Sequence, residues 1–194
     1  MSDLHNMYEA IVMGASAGGF RAFSTLLSDI PAGYSIPILL VQHRSKDSRE
    51  LFEEVLQSKC GIKIKQVEEK EVITGNHVYV APPDYHLLIE SNKTLSLSSD
   101  APVCFSRPSI DVLFESAAIA YGNKLIGIIL TGANDDGAMG ITAIGKRGGL
   151  TIAQNPQEAE YPFMVQASIG TKRVKYIWSL ATIRNFLLKL DNHS

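Results

Sequence analysis

Three short segments of this sequence each place a reactive side chain directly after an apolar run. The segment Gly14–Gly19 reads G-A-S-A-G-G and carries a serine, and His43 follows a second apolar run. The segment Thr131–Gly137 reads T-G-A-N-D-D-G and carries two aspartates. A serine nucleophile, a histidine base and an orienting carboxylate can together perform acyl transfer. The three segments therefore indicate this chemistry if the fold brings them to one place.

The serine segment matches the G-x-S-x-G pattern of a nucleophile on a tight strand-to-helix turn. Glycines on both sides remove Cβ atoms that would crowd such a turn. A helix that begins near Gly18 would add backbone N–H groups and a partial positive charge suited to an oxyanion. We assign Ser16 as the candidate nucleophile and the N–H of Ala17 as one oxyanion donor. An N–H of Gly132–Asn134 is the candidate second donor.

A dinucleotide-binding turn is the alternative interpretation of the serine segment. In the G-x-G-x-x-G frame, Ser16 takes the place of a glycine that lets the pyrophosphate approach. The next predicted strand ends in Gln42 and His43, where a dinucleotide site would have an acid for the ribose. The segment alone leaves both interpretations open. The histidine and the aspartates at matching strand ends favour the hydrolase.

Position along the chain makes His43 the candidate general base, since an imidazole can take the serine proton and return it to a leaving group. We expect the other histidines to be structural or solvated; these are His5, His77, His86 and His193. Spacing alone does not choose between Asp135 and Asp136, because either could orient the imidazole, cap a helix or occupy a solvated turn. A metal site formed by this pair is disfavoured, because no further carboxylate or histidine lies nearby in sequence.

The composition predicts a single domain without a strongly charged partner. The chain has 194 residues, of which 45% are hydrophobic and 20% are charged, and its formal net charge is −2. This length suits one domain, so we expect residues 1–194 to form a single catalytic unit. The balanced charge gives no bulk electrostatic reason to bind nucleic acid or an anionic membrane.

Cysteine usage and the apolar runs predict a cytoplasmic location. Cys60 and Cys104 lie outside any C-x-x-C pair or metal-ligand cluster, which indicates reduced thiols. The N-terminal segment lacks a basic region, and the apolar runs have the length of strands rather than of membrane spans.

Strand-like and helix-like runs alternate along the chain, which positions the three reactive segments. Strands are predicted at Glu9–Met13, Ile36–Val41, Lys124–Leu130 and Leu150–Ala153. Helices are predicted at Gly18–Leu27, from an Asp47 cap to about Lys59, from Pro108 through Ala120, at Ala138–Lys146 and at Ser179–Leu190. Three short segments predict antiparallel strands at His77–Ala81, His86–Ile89 and Thr94–Ser98.

This pattern predicts an α/β fold with a doubly wound, mostly parallel sheet, helices on both faces and a small antiparallel segment near residues 77–98. In such sheets the site lies beyond the carboxyl ends of the strands, where the strand order reverses. We therefore expect the serine, the histidine and one aspartate to converge at that edge.

Six stretches in one order make the chain resemble the catalytic domain of the chemotaxis protein-glutamate methylesterases, the CheB-type enzymes. They are I-V-M-G-A-S-A-G-G at 11–19, L-L-V-Q-H at 39–43, H-V-Y-V-A-P-P-D-Y-H at 77–86, R-P-S-I-D-V-L-F at 107–114, I-I-L-T-G-A-N-D-D-G-A-M-G at 128–140 and T-I-A-Q-N at 151–155. The resemblance covers most of the chain, and six ordered matches are far more specific than any one of them.

The resemblance implies a role for individual residues. The implied triad is Ser16 as nucleophile, His43 as base and Asp136 as the orienting acid. The family's N-D-G pattern favours this aspartate over Asp135. The implied oxyanion donors are the N–H groups of Ala17 and Ala133. Arg107 either meets the acidic helix that carries the substrate or forms a structural salt bridge.

The implied reaction is hydrolysis of γ-carboxyl methyl esters on glutamates of methyl-accepting chemotaxis receptor helices, with release of methanol. Relatives also deamidate particular receptor glutamines through the same acyl-enzyme chemistry. No cofactor is needed. The implied partners are receptor helices, and a separate regulatory protein is a further candidate. Binding of nucleic acid and insertion into a membrane are not expected. A dinucleotide-binding oxidoreductase domain and a receptor-binding module without turnover are the rival hypotheses.

The sequence departs from the family in two places. Many relatives carry a phosphorylatable receiver domain, whereas only about eight residues precede the first predicted strand here, so we expect no receiver domain in this chain. The family's later G-M-P pattern appears as Phe163–Val165, F-M-V, in a loop that we expect to shape the substrate groove.

Overall fold

The computed structural model describes residues 7–44 and 52–191 as nine strands and six helices around a central parallel sheet. The strands are β1 (Ala10–Ala15), β2 (Ile38–Gln42), β3 (Lys63–Gln66), β4 (His77–Val80), β5 (His86–Ile89), β6 (Leu95–Ser98), β7 (Leu125–Ile129), β8 (Leu150–Gln154) and β9 (Tyr176–Trp178). The helices are α1 (Gly19–Leu27), α2 (Phe52–Gln57), α3 (Ile110–Tyr121), α4 (Ala138–Lys146), α5 (Phe163–Gly170) and α6 (Leu180–Leu190), and a 3₁₀ turn spans Gly122–Lys124.

Seven strands form one sheet in the order β3-β4-β2-β1-β7-β8-β9, and all neighbours pair in parallel. The chain runs from β1 outward on one side and later returns to the other side of β1 as β7. The strand order therefore reverses between β1 and β7, which is where a doubly wound sheet places its site. The remaining strands, β5 and β6, form a separate antiparallel hairpin. The predicted fold class is confirmed.

Two hydrophobic cores lie on opposite faces of the sheet, because the central strands are apolar at nearly every position. In β1, Ile11 and Met13 pack into one core, whereas Val12 packs into the other. Helices α1, α2 and α6 cover the first face, and α3, α4 and α5 cover the second. Burial on both faces is what a continuous apolar run in a parallel sheet requires.

The prediction that His77–Ala81 belongs to the antiparallel segment is wrong. As β4, this run pairs in parallel with β2 and β3, and Val78, Tyr79 and Val80 are all buried. Side chains buried on both faces mark an interior strand, whereas the turn signals after this run had suggested a meander. The antiparallel pairing within the described residues of segment 77–98 belongs to β5 and β6, with one isolated bridge between Val72 and Thr94.

The other predicted elements in the described residues are present with shifted bounds. Some elements of the structure were not predicted. Helix α3 begins at Ile110 and not at Pro108, and Ser109 caps it by accepting the Val112 N–H at 3.5 Å. The predicted Asp47 cap of α2 lies outside the described residues. The sequence did not predict β3, β9 or α5, and Phe163–Val165, expected in a loop, forms the first turn of α5. Strands β3 and β9 are short and partly exposed, so they carry little hydrophobic periodicity.

Two buried aspartates join the N-termini of α3 and α4. Asp136 lies before α4 and accepts the N–H groups of Ile110 (2.7 Å) and Asp111 (3.0 Å) in the first turn of α3. Asp111 in turn accepts the N–H of Gly140, in the first turn of α4, at 2.6 Å. Each carboxylate thus satisfies N–H groups at the positive end of the opposite helix. This reciprocal contact fixes the loop after β7 against the start of α3.

We expect Asp111→Asn to change the pH dependence of stability. Burial, partly offset by the Gly140 N–H, raises the pKa of Asp111 to about 6, and the neighbouring Asp136 carboxylate also raises it. Because the folded-state pKa exceeds the unfolded value, ionisation of this carboxyl disfavours the fold, and stability is lost as the pH rises from about 4 to 6. The asparagine variant should therefore gain on the order of 1 to 3 kcal/mol relative to wild type between pH 4 and pH 7.

Urea denaturation of both proteins at the two pH values measures this difference. Asp135→Asn is the matched control, since that side chain is exposed, and its difference from wild type should change far less with pH. An unfolding free-energy difference for Asp111→Asn that is the same at pH 4 and pH 7 would contradict the prediction.

Candidate active site

The turn after β1 holds Ser16 through its main chain. The Ser16 N–H donates to Thr131 O (3.0 Å), and the Ser16 carbonyl accepts the N–H of Gly19 (2.9 Å) and the side-chain Nε2 of Gln42 (2.8 Å). The next residue is also tied to the loop after β7, because the Thr131 hydroxyl donates to Ala17 O at 3.0 Å. The turn is therefore fixed from both neighbouring strands.

Gly18 gives this turn a backbone that other residues rarely adopt. Its φ of 77° is left-handed, and it occupies the N-cap position of α1. A Cβ at this position would lie 3.0 Å from Glu160 Cβ and 3.1 Å from Thr131 Cγ2. The second glycine of the G-x-S-x-G pattern is thus required both by the conformation and by the space.

Strand register brings His43 beside the serine turn. Ala15 at the end of β1 pairs with Gln42 at the end of β2, so Ser16 and His43 are the next residues on adjacent parallel strands. The His43 N–H donates to Ala15 O at 3.0 Å. Gln42 bridges the two by donating from Nε2 to the carbonyl of His43 at 2.9 Å as well as to that of Ser16. The sequence analysis missed this bridging role.

Of the two candidate acids, Asp136 contacts the imidazole. His43 Nε2 and Asp136 Oδ2 lie 2.7 Å apart, and the Asp136 side chain is fully buried, whereas Asp135 is exposed. Asp136 also accepts the hydroxyl of Ser109 at 2.8 Å. Burial alone would raise the pKa of Asp136, but the hydrogen bonds from His43 and from the N–H groups of α3 hold that pKa below its ordinary value. The carboxylate is therefore charged and oriented.

The other ring nitrogen of His43, Nδ1, faces away from Asp136. His43 Nδ1 lies 3.3 Å from the hydroxyl of Ser106, which also accepts a long hydrogen bond from Asn134 Nδ2 at 3.4 Å. Within the described part of the chain, the Ser16 hydroxyl makes no hydrogen bond. Ser106 was missed by the sequence analysis, although it directly precedes the R-P-S stretch. Ser106 therefore contacts the candidate base, whereas Ser16 follows the neighbouring strand at the position next to His43.

The predicted oxyanion donors have N–H groups that are not used by the fold. In residues 7–44 and 52–191, neither Ala17 nor Ala133 donates its N–H to a protein acceptor. Ala133 is exposed and follows Gly132, whose N–H donates to Tyr161 O at 2.9 Å. The Met164 N–H donates back to Gly132 O at 3.0 Å. The F-M-V segment thus supports the loop that carries the predicted second donor.

Arg107 is held by protein groups beside the candidate site. Its Nε and Nη2 donate to Asp84 Oδ1 at 3.1 and 2.6 Å, and its Nη1 donates to the carbonyls of Ser99 (2.6 Å) and Asp100 (2.9 Å). The sequence left two roles open for Arg107, and the contact with Asp84 is the structural salt bridge. The residue also lines a cavity of about 330 Å³ at His43, so its substrate-binding role stays a prediction.

A possible metal-ligand cluster at the site is already occupied by protein donors. Cys104 Sγ and carboxylate oxygens of Asp111 and Asp136 lie within 4.8 Å of one another. Both carboxylates accept main-chain N–H groups, as described above. Burial and the neighbouring carboxylates, Asp136 foremost, raise the pKa of the Cys104 thiol, which disfavours the thiolate that binds metals. The fold satisfies these carboxylates without a cation.

The remaining histidines in the described residues make structural contacts. His86 is buried, its Nε2 lies 3.1 Å from Ala101 O, and its Nδ1 accepts the N–H of Ser109 at 3.1 Å. His77 Nδ1 lies 2.9 Å from Gly75 O. His5 and His193 lie outside the described residues. Among the described residues, Cys60 and Cys104 form no disulfide.

Comparison with known proteins identifies the family. The family model for CheB methylesterase matches residues 11–187. A putative protein-glutamate methylesterase/protein-glutamine glutaminase of Leptospira interrogans is 50% identical over 96% of this chain and 97% of its own length. The protein-glutamate methylesterase/protein-glutamine glutaminase 1 of Geobacter metallireducens is 43% identical over 75% of this chain, which corresponds to 40% of that protein.

A solved structure has the same architecture. The catalytic domain of the Thermotoga maritima CheB methylesterase superposes with a TM-score of 0.89 at 27% sequence identity, covering 94% of this chain and 98% of that domain. No helix in the described ranges is long and apolar enough to cross a membrane. The family model, the relatives and the solved structure agree, and the chain belongs to the CheB methylesterase family of hydrolases.

Proposed function

We propose that this chain removes methyl esters from glutamate side chains on helices of methyl-accepting chemotaxis receptors, and that it does so in the cytoplasm. The observation that carries the proposal is the 2.7 Å contact between His43 Nε2 and Asp136 Oδ2, made beside Ser16 where the strand order reverses. The names of the relatives, which specify protein-glutamate methylesterase and protein-glutamine glutaminase, support the substrate class.

Ser16 supplies the nucleophile in the proposed reaction. Its Oγ attacks the ester carbonyl carbon, and its proton passes to His43 Nδ1, the ring nitrogen that does not face Asp136. The carbonyl oxygen becomes an oxyanion, which the free N–H groups of Ala17 and Ala133 stabilise. The C–O bond to the methoxy group then breaks, and the imidazolium gives its proton to the leaving oxygen, so that methanol departs.

A water molecule completes the proposed cycle. His43 takes a proton from this water, the resulting hydroxide attacks the acyl carbon, and the bond to Ser16 Oγ breaks with return of the proton to the serine. The product is the glutamic acid side chain, which releases a proton to solvent and becomes the carboxylate. Asp136 stays ionised throughout, because its lowered pKa reflects hydrogen bonds that favour the charged form. Its task is to hold the imidazole in one tautomer and to stabilise the imidazolium.

Deamidation of receptor glutamines uses the same groups. The leaving group is then ammonia, and His43 must protonate the amide nitrogen before the C–N bond breaks. The acyl-enzyme and its hydrolysis are unchanged, so one site serves both substrates. Neither reaction needs a cofactor, and a separate regulatory protein is a further proposed partner.

We expect Ser16→Ala to abolish methanol release. Loss of the serine nucleophile in serine hydrolases lowers the rate on the order of 10⁴- to 10⁶-fold. The measurement is release of volatile radiolabelled methanol from a methylated receptor, with circular dichroism to confirm the fold. Ser106→Ala is the matched control, because that hydroxyl also lies near His43 Nδ1, and it should lose less than about tenfold, or about 1.4 kcal/mol of barrier. A crippled Ser106→Ala enzyme beside an active Ser16→Ala enzyme would reverse the assignment.

We also expect Asp136→Asn to damage turnover far more than Asp135→Asn. An amide at the buried position can present its NH₂ group to the imidazole and favour the wrong tautomer, a change that costs about 10⁴ in rate in a well-studied serine protease. Asp135 is exposed and is not among the side-chain hydrogen-bond partners of His43, so it should lose less than about tenfold as the amide.

Single-turnover methanol release tests both aspartate variants. Asp136 also caps α3, so thermal unfolding is recorded first and the kinetics are measured well below each transition. If the folded Asp136→Asn protein kept more than a tenth of wild-type turnover, Asp136 would not be the orienting acid.

A further inference from the structure

A tight hairpin stands beside the candidate base, and its backbone is unusual for its sequence. Val103 and Ser106 exchange two main-chain hydrogen bonds of 3.1 and 2.9 Å around the two-residue turn Cys104–Phe105. Both turn residues have left-handed backbones, with φ of 49° and 60°. Such turns normally carry glycine or asparagine, and a large aromatic residue there is rare. The turn therefore displays a residue that its own backbone does not favour.

The side chains of this hairpin divide between the site and solvent. The Ser106 hydroxyl lies 3.3 Å from His43 Nδ1, and Cys104 Sγ lies within 4.8 Å of a carboxylate oxygen of Asp136. Phe105, between them, has a relative exposure of 106%, the highest of the large hydrophobic residues in the described ranges. Cys104 and Ser106 thus lie at the site, whereas Phe105 between them presents its phenyl ring to solvent.

The charged residues around the same cavity are engaged by the protein. Arg44 is paired with Glu53, and Arg107 is paired with Asp84 and with two carbonyl groups. The cavity at His43 is lined by both arginines and by Phe105. Both guanidinium groups are held in these pairs. Phe105 is therefore the large apolar side chain that the cavity rim exposes to solvent.

We propose that Phe105 anchors the receptor helix by contacting an apolar side chain on the helix face that carries the esterified glutamate. This inference rests on the proposed function, since His43 and Phe105 line the same cavity and a helix that brings its ester to His43 comes close to the phenyl ring. Residues three or four positions apart share one face of a helix, so an apolar neighbour of the ester can meet the ring. Exposed aromatic side chains that become buried on binding contribute strongly to protein recognition.

Steady-state methanol release from a methylated receptor tests the anchor. Phe105→Asn removes the ring and keeps a residue that tolerates the left-handed backbone, so the hairpin is preserved. We expect KM for the receptor to rise at least fivefold, with kcat within twofold of wild type. The ratio of kcat/KM for the receptor to kcat/KM for p-nitrophenyl acetate, a small ester without a helix, should fall at least fivefold. Phe105→Tyr keeps an aromatic ring, and its KM should lie close to that of wild type.

Ile119→Ala is the control, because it shortens another exposed hydrophobic side chain on α3, more than two turns beyond the start of that helix. An unchanged KM in Phe105→Asn, or an equal loss of kcat/KM on both substrates, would overturn the anchor while wild-type methanol release upholds the proposed function. No methanol release by the wild-type chain would overturn the proposed function, and the anchor with it.

Discussion

The buried carboxylate of Asp136 is the group on which the arrangement of the site depends. A buried charge is costly unless hydrogen bonds compensate it, and here four donors from two other parts of the chain do so. They are His43 Nε2, the Ser109 hydroxyl and the N–H groups of Ile110 and Asp111. The buried carboxylate stays charged because β2 and the start of α3 supply these donors to the loop after β7, and its lowered pKa means that the charged form stabilises the fold.

Burial is unfavourable for the charge of a second carboxylate, that of Asp111. This second buried carboxylate accepts the Gly140 N–H and ties α4 back to α3, but its raised pKa shows that the interior disfavours its charge. Gly140 permits the contact, since a Cβ there would lie 2.4 Å from Phe114 Cβ. The two helices can thus approach closely enough for each to place an acid at the other's N-terminus. These contacts hold the loop between β7 and α4 in place.

In this site, the groups that hold the main chain in place are different from the N–H groups that remain available to a substrate. The main chain of Ser16 is held by Thr131, Gly19 and Gln42. In contrast, the N–H groups of Ala17 and Ala133 have no protein acceptor among the described residues. Groups fixed in advance lose little entropy and need little reorganisation when charge develops in a transition state. The supporting contacts are spread over three strand ends, whereas the chemistry falls on the few atoms between them.

The amino-acid sequence by itself determined the fold class, because runs such as those of β1, β2 and β7 are apolar at nearly every position and can be stable only when buried on both faces. It also placed Ser16, His43 and the acidic pair at strand ends that meet at one edge. Periodicity failed where elements are short and partly exposed, as in β3 and β9, and turn signals misplaced β4 in an antiparallel segment.

Spacing left the choice between the two adjacent acids open and the family's N-D-G pattern favoured Asp136, but only the tertiary structure shows which of them contacts His43. Asp135 and Asp136 are identical in type and differ by one position, so their burial and donors depend on how α3 packs against the loop, which no local pattern encodes. The same holds for Ser106 and Phe105, whose positions beside His43 come from a hairpin more than sixty positions away in sequence. Side-chain chemistry is local, but proximity between distant segments is set by packing of the whole sheet and its helices.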